Sequence, residues 1–195
     1  MPQKETIRNL TEIQLGYQFR SKPQGDEQGS VQLIQIKDIL SDRSGLSHED
    51  ALRFNPERDP TKQLLQEGDV LFMGKGSAPF ACAVSGLSGP TVAGGMFFIL
   101  KPDTTRVLPD YLAWCLSRKE TLRALTIASG TGVAMPVIRR SELEQFTIPL
   151  PPLDIQRKIG ELQRLSREEK DLTNELTAQK ETLMRAVCNK LASEL

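Results

Sequence analysis

Ile148-Pro149-Leu150-Pro151-Pro152-Leu153-Asp154-Ile155-Gln156 is the stretch from which the organisation of this chain is read. After it, no proline follows Pro152 and no glycine follows Gly160. Proline cannot sit inside a helix, so the run predicts a stiff extended lead-in, with Asp154 as N-cap of the helix that follows. Apolar residues then fall at Ile155, Ile159, Leu162, Leu165, Leu172, Leu176, Leu183, Ala186, Val187 and Leu191, mostly in steps of three and four. Glu169 and Gln179 occupy two places where that seam calls for an apolar side chain. A helix over 155–192 would be roughly 55 Å long at about 1.5 Å per residue, too long for a domain of this size to cover. It requires a partner.

Working outward, 195 residues with 38% hydrophobic and 26% charged content suit one domain plus an appendage, or two small domains. No apolar run approaches the ~18–20 residues of a membrane span, and Met1-Pro2-Gln3-Lys4-Glu5 carries no signal-peptide pattern, so a cytoplasmic location is expected. Cys82, Cys115 and Cys188 are few, far apart and without metal-site spacing. They are expected to be buried thiols, with no metal site.

The formal net charge is zero, which counts against a nucleic-acid binder. Its distribution softens the objection. Residues 70–102 hold Lys75 and Lys101 and no acid; residues 121–141 hold Arg123, Arg139 and Arg140 and no acid. The acids gather at Asp42, Glu49, Asp50, Glu57 and Asp59 and along the C-terminal helix, where eight acids meet eight bases.

Residues 1–150 read as a strand-rich domain. A short strand or turn leads to Gly16, and strands are expected at 31–39, 70–73, 81–84, 96–100, 136–138 and 146–148. Helices are expected from Leu108, with Pro109 in the first turn, and over 119–127, and a helical turn at 141–144. Tyr111, Leu112, Trp114 or Cys115, and Leu116 form the first helix's apolar face. Residues 41–61 read as a long excursion with at most a turn of helix, and glycines at 86–95 as a spacer.

No catalytic constellation emerges. His48 stands alone in an acidic loop, and HExxH, GxSxG and paired-cysteine motifs are absent from the sequence. Gly74-Lys75-Gly76-Ser77 lacks the order of a phosphate loop and precedes a hairpin return, not a helix. Such loops on a sheet suit binding better. Gly74-Lys75-Gly76-Ser77 and Ser129-Gly130-Thr131-Gly132 present amides, hydroxyls and a cation, with Arg139 and Arg140 close behind.

Those features together resemble a known family. The IPLPPL run followed by Gln156 and Ile159, the Gly68-Asp69-Val70-Leu71 strand, the Leu108-Pro109-Asp110-Tyr111-Leu112 helix start and Gly130-Thr131 ahead of Pro136-Val137-Ile138 resemble the specificity (S) subunits of type I restriction–modification enzymes. Leu15-Gly16-Tyr17-Gln18-Phe19-Arg20 and Gln35-Ile36-Lys37-Asp38-Ile39 fit as well. The chain resembles a half-length form with one target recognition domain and one conserved helix.

The resemblance implies an α+β fold: a strand-rich target recognition domain with a few short helices over 1–150, then one long coiled-coil-type helix over 151–195. It implies a non-catalytic subunit that reads half of a bipartite site in double-stranded DNA and recruits a methyltransferase (M) subunit, with a restriction (R) subunit as a further partner. S-adenosylmethionine would belong to the methyltransferase; no cofactor is expected in this chain. Lys75, Ser77, Thr131, Arg139 and Arg140 are the residues expected at DNA. Ile155, Ile159, Leu162, Leu165, Leu172, Leu176, Leu183 and Val187 are expected to form a homodimer or partner surface. The rival reading is a protein-interaction adaptor with an oligomerising helix and no DNA role.

Overall fold

The computed structural model describes residues 3–40, 45–47, 51–76, 78–130 and 137–193. They form two compact units, Met1–Gly160 and Glu161–Leu195.

The first unit is built on a four-stranded antiparallel sheet in the order β2 (Thr11–Leu15), β8 (Phe97–Pro102), β5 (Val70–Met73) and β6 (Phe80–Ala83). Val70-Leu71-Phe72-Met73 and Phe97-Phe98-Ile99-Leu100 lack polar alternation because both faces of this sheet are covered. On one face Val70, Phe72, Phe98 and Leu100 pack with Leu112, Cys115 and Leu116 of helix α1 (Pro109–Ser117). On the other, Leu71, Met73, Phe97 and Ile99 pack with Ile34 and Ala93. Those two residues belong to a second sheet in the order β4 (Leu52–Phe54), β3 (Val31–Ile34), β7 (Thr91–Ala93). The edge strand β6 is held to α1 by Ser117, whose hydroxyl accepts from Ala81 N at 3.0 Å and donates to Ala81 O at 2.9 Å. Helices α2 (Lys119–Ala128) and α3 (Arg140–Gln145) follow α1. Strand β9 (Thr147–Pro149) then pairs antiparallel with β1 (Lys4–Thr6), closing the domain.

Most expected elements are present, with differences that have physical causes. The strand expected over 31–39 stops at Ile34, and 36–38 forms a 3-10 turn in which Gln35 N donates to the Asp38 carboxylate at 2.8 Å. Two strands escaped the sequence reading: β4 inside the polar excursion and β7 inside the glycine spacer. Three residues give too little pattern to detect. Strand β8 continues past residue 100, where the expected strand ends, through Lys101 and Pro102. Cys115, not Trp114, completes the buried face of α1. Burial pushes the Cys82 thiol up to about 12 and the Cys115 thiol up to about 11, so both stay protonated. Cys188, expected to be buried, is exposed.

Helix α4 runs from Leu153 to Ser193. Its first turn corrects one expectation. The Pro152 carbonyl accepts from Ile155 N at 3.0 Å and Gln156 N at 3.1 Å, so the helix begins before Asp154. Asp154 lies within the first turn, where its carboxylate favours the positive end of the helix dipole.

Candidate nucleic-acid interface

Strand β8 runs antiparallel to both neighbours, which gathers particular loops at one end of the sheet. Leu15 pairs with Phe98, and Met73 pairs with Phe97. The segments leaving β2 and β5, starting at Gly16 and Gly74, therefore emerge side by side where β8 begins. Gly16 is required by close approach, and Gly74 sits in a tight one. A side chain at Gly16 would stand 2.3 Å from Gly94 O, and one at Gly74 would stand 3.0 Å from Ile138 O.

That contact at Gly74 brings the second half of the predicted site to the first. Ile138 N donates to Gly74 O at 2.8 Å, and Lys75 forms an antiparallel bridge with Val137. Ile138 is buried, fixing the segment, while Lys75, Arg139 and Arg140 are exposed. The structure thus joins Lys75 to the segment carrying the two arginines, although more than sixty residues separate them. Ser77, Thr131 and His48 lie outside the described residues.

The arginines are not bare charges. Arg139 Nη1 lies 3.7 Å from Glu142, whose carboxylate also accepts from Arg139 N, and Arg140 Nε lies 2.6 Å from Glu144. The run that is acid-free in sequence ends at Ser141, and helix α3 folds these two acids back onto it. An arginine compensated in this way adds less to phosphate affinity than its formal charge. Its remaining N–H donors can still meet a base edge.

A second cationic surface was not singled out in the sequence. Beyond Gly16, a cleft of about 280 Å³ is lined by Gln18, Arg20, Lys22, Asn55, Glu57 and Arg58 over Tyr17, Phe19 and Phe54. The three rings pack edge-on or tilted against one another at 4.9 to 5.6 Å between centroids, and Arg58 N donates to the Tyr17 hydroxyl at 3.2 Å. The basic residues come from two segments more than thirty residues apart, and Glu57 and Asp59 masked Arg58 in the sequence. The only visible signal was Arg20 and Lys22 just after two aromatics. Among the described residues no group of His, Cys, Asp and Glu could hold a metal ion.

A family model described as the type I restriction modification DNA specificity domain matches residues 4–182. The chain belongs to this family. None of the curated proteins compared with the chain matches it. Among solved structures, one described as showing complex assembly and conformational transition of the type I R-M system aligns at TM-score 0.62 and 17% identity, over 95% of this chain and 43% of that one. The HsdS subunit from Thermoanaerobacter tengcongensis aligns at 0.58 and 16%, over 86% and 37%. The type I S subunit from M. genitalium aligns at 0.54 and 16%, over 85% and 39%. These likenesses establish the fold. The specificity domain here spans about two fifths of the length of those chains, as a single domain with one helix fits a half-length form.

The junction that most resembled this family has a clear physical role in the specificity domain. Gln156, 1% exposed, accepts from Leu108 N at 2.9 Å and donates to Arg106 O at 2.9 Å and Pro151 O at 2.8 Å. Tyr111 donates its hydroxyl proton to Pro149 O at 2.7 Å. Arg106 and Leu108 lie in the loop that leaves β8 after Pro102, at the end of the sheet away from Gly16 and Gly74. Ile159 packs against the domain core, and Gly160 lies where a side chain would stand 3.0 Å from Asp110 Cβ. The first two turns of α4 are therefore part of the domain. Of the residues expected at a partner surface, Ile159 is engaged here. Ile155, Leu162, Leu165, Leu172, Leu176, Leu183 and Val187 are exposed. Among the described residues no helix is long and apolar enough to cross a membrane.

Proposed function

We propose that this chain is the non-catalytic sequence-reading subunit of a type I restriction–modification system. It binds half of a bipartite site in double-stranded DNA through the loops at the Gly16–Gly74 end of its sheet. The observation that carries this reading is the Lys75–Val137 bridge, which sets Lys75 beside the segment that carries Arg139 and Arg140, all three of them exposed. Ser77 and Thr131 belong to the same two segments and complete the proposed contact set. Lys75 meets phosphate and sets affinity. Arg139 and Arg140, already balanced by glutamates, present their forks to phosphate or to guanine edges.

The long helix supplies the second half of the function. Its exposed apolar seam pairs with a twin chain, so that two copies read inverted half-sites, and its remaining faces dock a methyltransferase subunit, with a restriction subunit joining the same complex. S-adenosylmethionine is held by that methyltransferase, and the assembly works in the cytoplasm.

The test is binding to duplex DNA across a salt titration, with the methyltransferase subunit present. Arg139→Ala with Arg140→Ala should weaken binding to the preferred sequence. Lys75→Ala should shrink the salt slope by about one phosphate contact's worth, roughly 0.9 in log–log units. Unchanged affinity at every salt concentration removes these residues from the interface. Sequencing of methylated sites in host DNA, with the gene present and deleted, then identifies the motif; no missing motif on deletion would end the functional reading.

A further inference from the structure

The second unit carries its information in the places where its seam is polar. Written with Leu162 as the first core position, the helix places Leu162, Leu165, Glu169, Leu172, Leu176, Gln179, Leu183 and Ala186 on one face, in strict alternation of three and four. All are exposed in the single chain. Two of the eight are polar. Gln179 Nε2 makes a long contact of 3.3 Å with Glu175, one turn earlier on the same helix.

The spacing of those two residues discriminates among ways of pairing with a second copy. A parallel pair in register sets Glu169 against Glu169 of the partner subunit, placing two carboxylates in one layer. An antiparallel pair centred on Asn174 faces residues equidistant from that point. Leu172 meets the partner's Leu176, Leu165 meets the partner's Leu183, and Leu162 meets the partner's Ala186. Glu169 meets the partner's Gln179, so a carboxylate accepts from an amide and both interruptions share one layer. Sliding this pair by one heptad in either direction places Glu169 against the partner's Leu172 or the partner's Ala186. The same slides place Gln179 against the partner's Leu162 or the partner's Leu176. Each mismatch desolvates a polar group without a partner, whereas the register centred on Asn174 leaves six wholly apolar layers and two satisfied polar ones.

We infer that Glu169 and Gln179 are the register-setting residues of this helix, locking two copies antiparallel about Asn174 through reciprocal Glu169–Gln179 hydrogen bonds. The inference rests on the proposed pairing of the helix with a twin, for which the family resemblance already implies an antiparallel direction, and it adds the register and the residues that set it. A polar residue at a core position that specifies alignment at some expense of stability is a known use of such positions. The consequence is functional. With the register fixed, the separation and inverted orientation of the two recognition domains have one value, which sets the spacing of the half-sites.

Gln179→Lys in the full-length chain separates the alternatives. In the antiparallel register it sets each introduced lysine against a Glu169 carboxylate, twice per dimer, and should tighten the dimer roughly fivefold in sedimentation equilibrium at low salt, with the gain fading as salt rises. In a parallel pair it sets lysine against lysine and weakens association. A second measurement uses a Cys188→Ser background. Leu165→Cys chains mixed with isotope-labelled Leu183→Cys chains should form the mixed disulfide on oxidation, with little self-cross-linking of either. Weakening by Gln179→Lys, dominant self-cross-linking of the Leu165→Cys chain, indiscriminate cross-linking, or a wild-type chain that stays monomeric at every concentration would each overturn the inference. DNA binding measured on the same samples reports separately on the recognition domain, so loss of the register leaves the DNA-reading assignment standing and the reverse also holds.

Discussion

Within helix α4, the stretch Leu153–Gly160 and the stretch from Glu161 onward have the same backbone and opposite fates. In the first, Gln156 and Gly160 are buried and Ile159 packs into the domain core. In the second, leucines stand in the open, with Leu162 at 63% and Leu172 at 67% exposure. The contrast teaches that helical propensity alone does not assign a segment to a domain. A buried glutamine with three hydrogen bonds makes the first two turns part of the recognition unit. An exposed apolar seam sets the rest apart, and it is the face assigned to another chain in the function proposed above.

The strongest way to break that contrast is Gln156→Ala. Removal of the amide strands the Leu108 N–H and two carbonyls in a buried site, at a cost of about 2–5 kcal/mol to the stability of the domain. Chemical denaturation should show a lower midpoint with dimerisation by the distal helix unaffected at temperatures where the domain is folded. A variant as stable as wild type would mean that Gln156 is not the fastening the geometry describes.

Next in size is the distal seam. Leu172→Ala should leave the domain's unfolding midpoint where it is and weaken self-association by about 1–3 kcal/mol for each lost pair of contacts. A chain ending at Gly160 makes the same point more bluntly. It should fold, keep its sheet and stay monomeric in sedimentation, whereas one ending at Leu153 loses Gln156 and should be markedly less stable. Continued dimerisation of the shorter chain would place the interface on the recognition domain.

The two stretches also differ in how far the sequence disclosed them. The proline run, the absence of later glycine and the stepping of leucines announce a long helix with an open seam, because period and breaker residues are local signals. The role of Gln156 was not legible. Its partners, Arg106 and Leu108, lie about fifty residues earlier, and no local pattern reports a hydrogen bond across that distance. The domain repeats the lesson. Doubly buried β5 and β8 were evident from their apolar runs, and three-residue β4 and β7 were not. The grouping of Lys75 with Arg139 and Arg140 rested on resemblance and loop chemistry, and only the Lys75–Val137 bridge supplies its physical basis. The cleft of Arg20, Lys22 and Arg58 showed in sequence only as two cations after two aromatics, for the same reason as Gln156: its walls come from two remote segments.

The smallest expected effect concerns Asp69, in the turn that opens β5. It is 4% exposed, accepts from Gln66 N at 2.9 Å and lies 3.9 Å from Lys101 Nζ. Burial raises its pKa above the ordinary carboxylate value, and the hydrogen bond from Gln66 and the charge of Lys101 only partly offset that. An acid with a raised folded pKa holds its proton more tightly in the folded state. Its contribution is therefore most favourable at low pH and is lost as pH climbs from the usual carboxylate range through the raised value. Glu5, Asp59 and Asp103 act oppositely, since their hydrogen bonds lower their pKa values and their effect fades as pH falls below that range. The windows do not coincide, so Asp69 can be isolated. Asp69→Asn keeps an acceptor for Gln66 N and cannot ionise. The difference between wild-type and variant melting temperatures should shift in the variant's favour as pH rises through the window just above the usual carboxylate range, then level off. A difference that is flat across that window would show that Asp69 ionises in the fold as freely as it does in the unfolded chain.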